Sequence, residues 1–141
     1  MLKTIIQASE NFCIHQIRLP YQVQEGVSQK RTLIAYIDIN TQSETKHRVY
    51  VAAEHSFMQR VSKLFLEEDE SDEETLVDMA LETVNLIVGS AKVIAEDTND
   101  NPFTISTPHF EKIDKFDFEY DESKVIKIEN DEAMIAIKEL S

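Results

Sequence analysis

Residues 75–96 constrain the fold of this chain more than any other segment. Wound at about 100° per residue, they gather Thr75, Asp78, Glu82, Asn85, Gly89, Lys92 and Glu96 into one stripe about 100° wide. Leu76, Val77, Met79, Ala80, Leu81, Val84, Leu86, Ile87, Val88, Ala91 and Ile94 occupy most of the remaining circumference. A helix that is apolar nearly all round must be covered on nearly all sides, so the segment predicts a largely buried helix with one polar strip left open. Its ends carry their own signals. Ser71 followed three residues later by Glu74 has the spacing of a capping box, and Asp72 and Glu73 fall where the helix dipole favours carboxylates. The loop formers DTNDNP at 97–102 close with a proline, which predicts a helix from about Asp72 to about Ala95.

Such a helix needs a layer to lie against, and the flanking sequence supplies strands. In TLIAYIDI, beginning at Thr32, Leu33, Ala35, Ile37 and Ile39 share one face, and RVYVAAE returns with Val49, Val51 and Ala53 aligned. The intervening NTQSETKH contains no glycine, which predicts a hairpin with a longer loop than a two-residue primed turn. From His55 the period changes to that of a helix, with Phe57, Val61, Leu64 and Phe65 on one face, ending in the acidic run EEDESDEE at 67–74. Beyond the loop, FTIST, a charged alternating stretch from Phe110 to Tyr120, KVIKIE and AMIAIKE read as three or four strands, the last two a hairpin with one face buried and one wet. Residues 1–31 are less regular: Leu2, Ile5, Ile6, Ser9 and Phe12 suit a short helix, and Ile14 to Tyr21 an irregular strand. Strands, two helices, then strands predict an α+β fold, an antiparallel-rich sheet with two main helices packed on one face, in a single domain over residues 1–141.

Composition excludes several classes of function. The 141 residues include 14 basic and 27 acidic side chains, a formal charge of -13, so no basic surface is available to displace counterions from nucleic acid or to bind an anionic membrane. The single Cys13 can form no intramolecular disulfide, and no run of eighteen apolar residues or secretory leader is visible, which predicts a cytoplasmic protein with no membrane insertion. His15, His47, His55 and His109 lack HxxxH or HExxH spacing, so no metal site is expected. With two glycines in the whole chain, neither a phosphate-cradling loop nor a GxSxG elbow can be built.

What remains is the stripe, centred on Asp78, Glu82, Asn85 and Gly89. A narrow polar stripe on a buried helix is in general just its solvated side. Gly89 is harder to account for that way, because glycine costs about 1 kcal/mol against alanine in a helix interior; close approach of another backbone would offset that cost.

The segment DEETLVDMALETVNLIVGSAK, with Asp78-x-x-x-Glu82-x-x-Asn85 followed by Gly89, Ser90, Ala91 and Lys92, resembles the active-site helix of the CheC/CheX/FliY family of chemotaxis phosphatases, and the order of elements over residues 32–140 is similar to its CheX branch. Glu-x-x-Asn occurs twice, at 82 and 85 within the helix and at 96 and 99 where the loop formers begin; only the first sits inside the helical stripe, which fits a one-site arrangement. The resemblance implies hydrolysis of the aspartyl phosphate of a CheY-like response regulator, with Asn85 orienting water, Glu82 pairing with the regulator's lysine, and Asp78 and Gly89 contacting the regulator. It implies no cofactor of the chain's own, Mg²⁺ on the regulator, and a homodimer. The terminal strand AMIAIKE, as an apolar edge, is a candidate for pairing two copies. A non-catalytic adaptor of the same fold is the alternative.

Overall fold

The computed structural model describes residues 2–99 and 101–140. Its elements run α1 (Leu2–Phe12), a π-helical turn (Cys13–Ile17), β1 (Gln22–Glu25), β2 (Thr32–Thr41), β3 (Lys46–Glu54), α2 (His55–Leu66), α3 (Glu73–Thr98), β4 (Phe103–Ile105), β5 (His109–Asp114), β6 (Glu122–Ile128) and β7 (Asp131–Glu139). All strand pairs are antiparallel, in the order β1-β6-β7-β3-β2-β4, with β5 also pairing to β2. One sheet therefore carries the whole described chain, with helices on one face: an α+β fold, as the pattern of elements predicts.

Alternation in the strands decides which face is which. Leu33, Ala35, Ile37 and Ile39 of β2, Val49, Val51 and Ala53 of β3, and Ala133, Ile135 and Ile137 of β7 all point to the helical side. There they meet Ile5 and Phe12 of α1, Phe57, Met58 and Val61 of α2, and Leu76, Val84, Ile87 and Val88 of α3 in one continuous core. The helical layer has three members rather than two. The stretch expected to be extended continues α1 as the π turn, ends at Arg18 in a left-handed conformation (φ 61°), and the strand begins only at Gln22. Burial of Cys13 and Ile17 under this turn outweighs the local extended signal around Pro20.

The second face is not simply wet. Ile34, Tyr50, Ala52, Val125, Met134 and Ala136 form a smaller cluster covered by Phe116 and Phe118. Phe118 stacks on Tyr50 with ring centroids 5.2 Å apart and Phe116 meets it edge-on at 5.1 Å, so the charged stretch expected to be strand up to Tyr120 leaves the sheet after Asp114 and folds back as a loop. Within β5 the register shifts opposite Ile34 and Ala35, leaving Glu111 as the extra residue of a bulge. The β2–β3 loop spans residues 42–45 and is closed by the Thr41 N–H donating to the Thr45 carbonyl at 3.0 Å, a longer turn as its glycine-free sequence predicts.

Two sequence expectations about edges and caps are corrected. β7 lies between β3 and β6, hydrogen-bonded on both sides, so AMIAIKE is a central strand and offers no edge; the free edges are β1 and the β4–β5 side. The cap of α3 is Asp72, not Ser71: its carboxylate accepts from the Thr75 N–H at 2.8 Å. Ser71 is unavailable for capping because Gln59 clamps its backbone, donating to its carbonyl (2.8 Å) and accepting from its N–H (2.9 Å). The Ser71 hydroxyl gives its proton to Glu68 at 2.7 Å, so Ser62, buried at 2.5 Å, must donate to it. At the other end α3 runs to Thr98, beyond Ala95, and closes on Asn99 at φ 51°, whose N–H returns to the Ala95 and Glu96 carbonyls. Asp100 of the following loop lies outside the described residues.

Arg60 fixes α2 to the β6–β7 turn, donating to Asp131 at 2.7 Å, and Lys30 bridges Glu54 and Glu132, each at 3.2 Å. Among the described residues no helix is long and apolar enough to cross a membrane.

Replacing Ser71 by alanine leaves the buried Ser62 hydroxyl without its acceptor, and is expected to cost about 1–3 kcal/mol; removing both hydroxyls should cost less than the sum of the two single changes, read from denaturant unfolding. Asp72→Ala removes the cap. The Thr75 N–H holds the Asp72 carboxyl below the usual carboxylate range, so its contribution is present above the unfolded pKa and lost as pH falls through the lower folded value. The melting midpoint of Asp72→Ala should therefore lie below wild type at neutral pH and converge with it in acid.

Candidate functional site

The candidate site is built on α3, a 26-residue helix held by the sheet beneath it and by α1 along its flank. Leu76, Val84 and Val88 are fully covered, so the orientation of the opposite stripe is fixed by burial rather than by contacts of its own. Asp78 and Glu82 are exposed on it, and Asn85 and Gly89 are half-buried at its margin. At 1.5 Å per residue Glu82 and Asn85 sit about one turn apart, on the same side and within reach of a single bound group. The structure brings the four predicted positions together on one open face.

These side chains are unengaged. The hydroxyls of Thr83 and Thr98 donate back to the Met79 and Ile94 carbonyls at 2.7 and 2.8 Å, but among the described residues no hydrogen bond or ion pair occupies Asp78, Glu82 or Asn85. A carboxylate and a carboxamide with free hydrogen-bonding capacity, carried on a rigid helix, are suited to receiving an external partner. Gly89 fits the same description: a Cβ built on it meets nothing within 4 Å, so nothing inside the chain requires glycine there.

Other chemistry is weaker. Burial, with Glu10 adding to it, pushes the Cys13 thiol up to about 12, so it supplies no thiolate nucleophile. Among the described residues no three His, Cys, Asp or Glu side chains converge as a metal site.

Sequence reasoning missed part of this surface. Leu86, assigned to the buried circumference, is 37% exposed, and Val93 is 54% exposed on the same arc. With Ser90 and with Ala8, Phe12 and His15 across from it, Leu86 lines a groove between α3 and the α1 end of the chain. Leu64 and Phe65, expected on the inner face of α2, are also largely uncovered, and Phe65 stacks on Phe12 at 6.2 Å. The helical period already hints at the exposure of Leu86, since at about 100° per residue it falls some 40° from Glu82, at the border of the stripe; its apolar chemistry, not its position, put it with the buried residues.

Comparison with known proteins places these features. The family model described as chemotaxis phosphatase CheX matches residues 34–129, a span that contains Glu82, Asn85 and Gly89. Among solved structures, chemotaxis protein CheX from Vibrio vulnificus superposes with a TM-score of 0.77 at 16% identity, covering 97% of each chain. A putative chemotaxis protein from Desulfovibrio vulgaris Hildenborough gives 0.77 at 17% identity, covering 98% of this chain and 95% of that one. The CheX in a CheX–CheY–BeF3–Mg²⁺ complex from Borrelia burgdorferi gives 0.69 at 13%, covering 97% of each. At such identities these structures establish a shared fold. Comparison with curated proteins gives no match. The family model spans more than half of the chain and includes the whole of α3, and the superpositions extend the likeness over nearly all of it: this chain belongs to the chemotaxis phosphatase CheX family.

Proposed function

We propose that this chain hydrolyses the aspartyl phosphate of a CheY-like response regulator. The observation that carries the reading is the pair Glu82 and Asn85, free of internal partners on the open face of a helix otherwise sealed into the core, in a chain of the CheX family. The Borrelia burgdorferi relative is seen in a complex with CheY, BeF3 and Mg²⁺, which makes a regulator carrying its own Mg²⁺ the natural substrate here; this chain brings no cofactor.

Phosphoryl transfer from an acyl phosphate needs little covalent help, because the regulator's carboxylate is already a good leaving group. The step breaks the bond between phosphorus and the aspartyl oxygen, forms one from water oxygen to phosphorus, and ends in inorganic phosphate and a free carboxylate. What the partner contributes is position. The Asn85 carboxamide can accept from a water and donate to the phosphoryl group at once, holding the oxygen in line without ionising. Glu82, one turn toward the N-terminus, pairs with the regulator's lysine and fixes the register of insertion. Asp78 extends the acidic contact by a further turn, and Gly89 lets a loop of the regulator approach the helix backbone.

Three variants test this reading. Asn85→Ala should abolish assisted phosphate release from phosphorylated regulator while binding of the regulator persists, because the amide acts mainly in the transition state. Glu82→Gln keeps the shape but loses the charge, so both affinity and rate should fall. Full activity of Asn85→Ala on every cognate phosphorylated regulator would falsify the water-positioning role, and a wild type that binds the regulator but releases no phosphate would make it an adaptor. Gly89→Ala separates stability from function: with open space around its Cβ, it should stabilise the fold by about 0.4–1 kcal/mol and weaken regulator binding. Calorimetry and a binding titration read the two effects.

A further inference from the structure

We propose that the groove between α1 and α3 at Leu86 is the affinity and specificity subsite for the same partner, taking one apolar side chain of the response regulator that presents its phosphoryl group to Asn85. The inference rests on the functional reading above. Leu86 follows Asn85 directly and stands one turn from both Glu82 and Ser90, so its side chain lies roughly 5–6 Å from theirs along the helix. Its exposure of 37% and that of Val93 at 54% flank Gly89 on the open arc, which puts an apolar strip beside the acid and amide.

The size of the groove identifies its occupant. Its volume is about 210 Å³, below the roughly 300–1,000 Å³ of small-molecule sites, yet ample for a single large side chain. A regulator docked at Asn85 reaches this groove on geometric grounds. A stable protein interface buries about 800 Å² per partner, a disc about 16 Å in radius, so a regulator seated on Asn85 covers Leu86, Ser90 and the π turn that carries His15. Phe12, itself buried, forms part of the groove wall and stacks on the exposed Phe65 of α2 at 6.2 Å. On a chain of formal charge -13, an apolar contact gives this face binding energy that does not depend on the sign of the partner's charge.

The test measures phosphate release from phosphorylated CheY-like regulators of the same cell, with KM and kcat separated, for wild type, Leu86→Asp and Ser90→Trp. The first places a charge at the groove and the second fills it; Ser90→Trp decides alone if Leu86→Asp fails to fold. The subsite predicts a KM about tenfold or more higher, with kcat within about twofold, the opposite split from Asn85→Ala. Wild-type KM in the folded variants overturns the subsite and leaves the phosphatase reading standing. A wild type that neither binds nor dephosphorylates any regulator overturns both. Sedimentation adds a further outcome: if wild type is a dimer and Leu86→Asp is a monomer, the groove is a contact between copies and the proposal fails.

Discussion

Burial of α3 is the constraint on which the rest of the structure depends. Leu76, Met79, Val84, Ile87 and Val88 lie within one helix and are buried on nearly all sides, and each large apolar side chain removed from water contributes about 1.5–3 kcal/mol. A sheet alone could cover only the underside of such a helix. α1 and its π turn supply the flank, packing Ile5, Phe12 and Ile17 into the same core, and α2 closes the region near the N-terminal end through Phe57, Met58 and Val61. The sheet is drawn into the same arrangement, with β2, β3, β6 and β7 directing alternate residues at this layer.

A helix held on so many sides has one orientation, and the candidate site inherits that precision. Among the described residues no hydrogen bond or ion pair holds the Glu82 and Asn85 side chains, yet their Cα positions are fixed by the residues opposite. This suits the proposed reaction, in which the partner would already carry the metal and the reactive bond and the added group has only to stand in the right place. The same rigidity explains how Gly89 is tolerated: a helix secured by several buried side chains absorbs a penalty of about 1 kcal/mol.

Polar contacts do a different job, joining elements that the core leaves loosely related. Arg60 with Asp131 ties α2 to the start of β7, and Lys30 joins the β1–β2 loop to Glu54 at the end of β3 and Glu132 of β7. Burial opposes ionisation of Asp131, but the Ser56 hydroxyl and the Arg60 guanidinium together outweigh it and hold the carboxyl below its ordinary range. The acidic linker is organised in the same way, by Gln59 gripping the Ser71 backbone and by the hydrogen-bond chain from the Ser62 hydroxyl through the Ser71 hydroxyl to the Glu68 carboxylate. On the outer face Arg48 donates to Asp38 at 2.8 and 3.0 Å and lies 3.9 Å above the Tyr36 ring, closing the aromatic cluster at its end.

The sequence by itself determined the features that depend on local periodicity. The β2–β3 hairpin, the inward faces of β2, β3, β6 and β7, the switch to helix at His55 and the stripe of Asp78, Glu82, Asn85 and Gly89 all follow from spacings of 2 or 3.6 residues. Tertiary structure decided whatever depends on what lies opposite. Ser71 and Asp72 are both competent caps, and the choice fell to Asp72 because Gln59, twelve residues earlier, holds Ser71. β7 reads as a possible edge until β6 and β3 enclose it. Phe116 and Phe118 alternate like a strand, yet the apolar patch around Tyr50 draws them across the sheet as a loop. Helical period sets Leu86 at the border of the stripe and Ile87 opposite it, but only tertiary structure decided that Leu86 lines a groove with Ala8 and Phe12, because a groove belongs to a pair of surfaces and a single strand of sequence records only one of them.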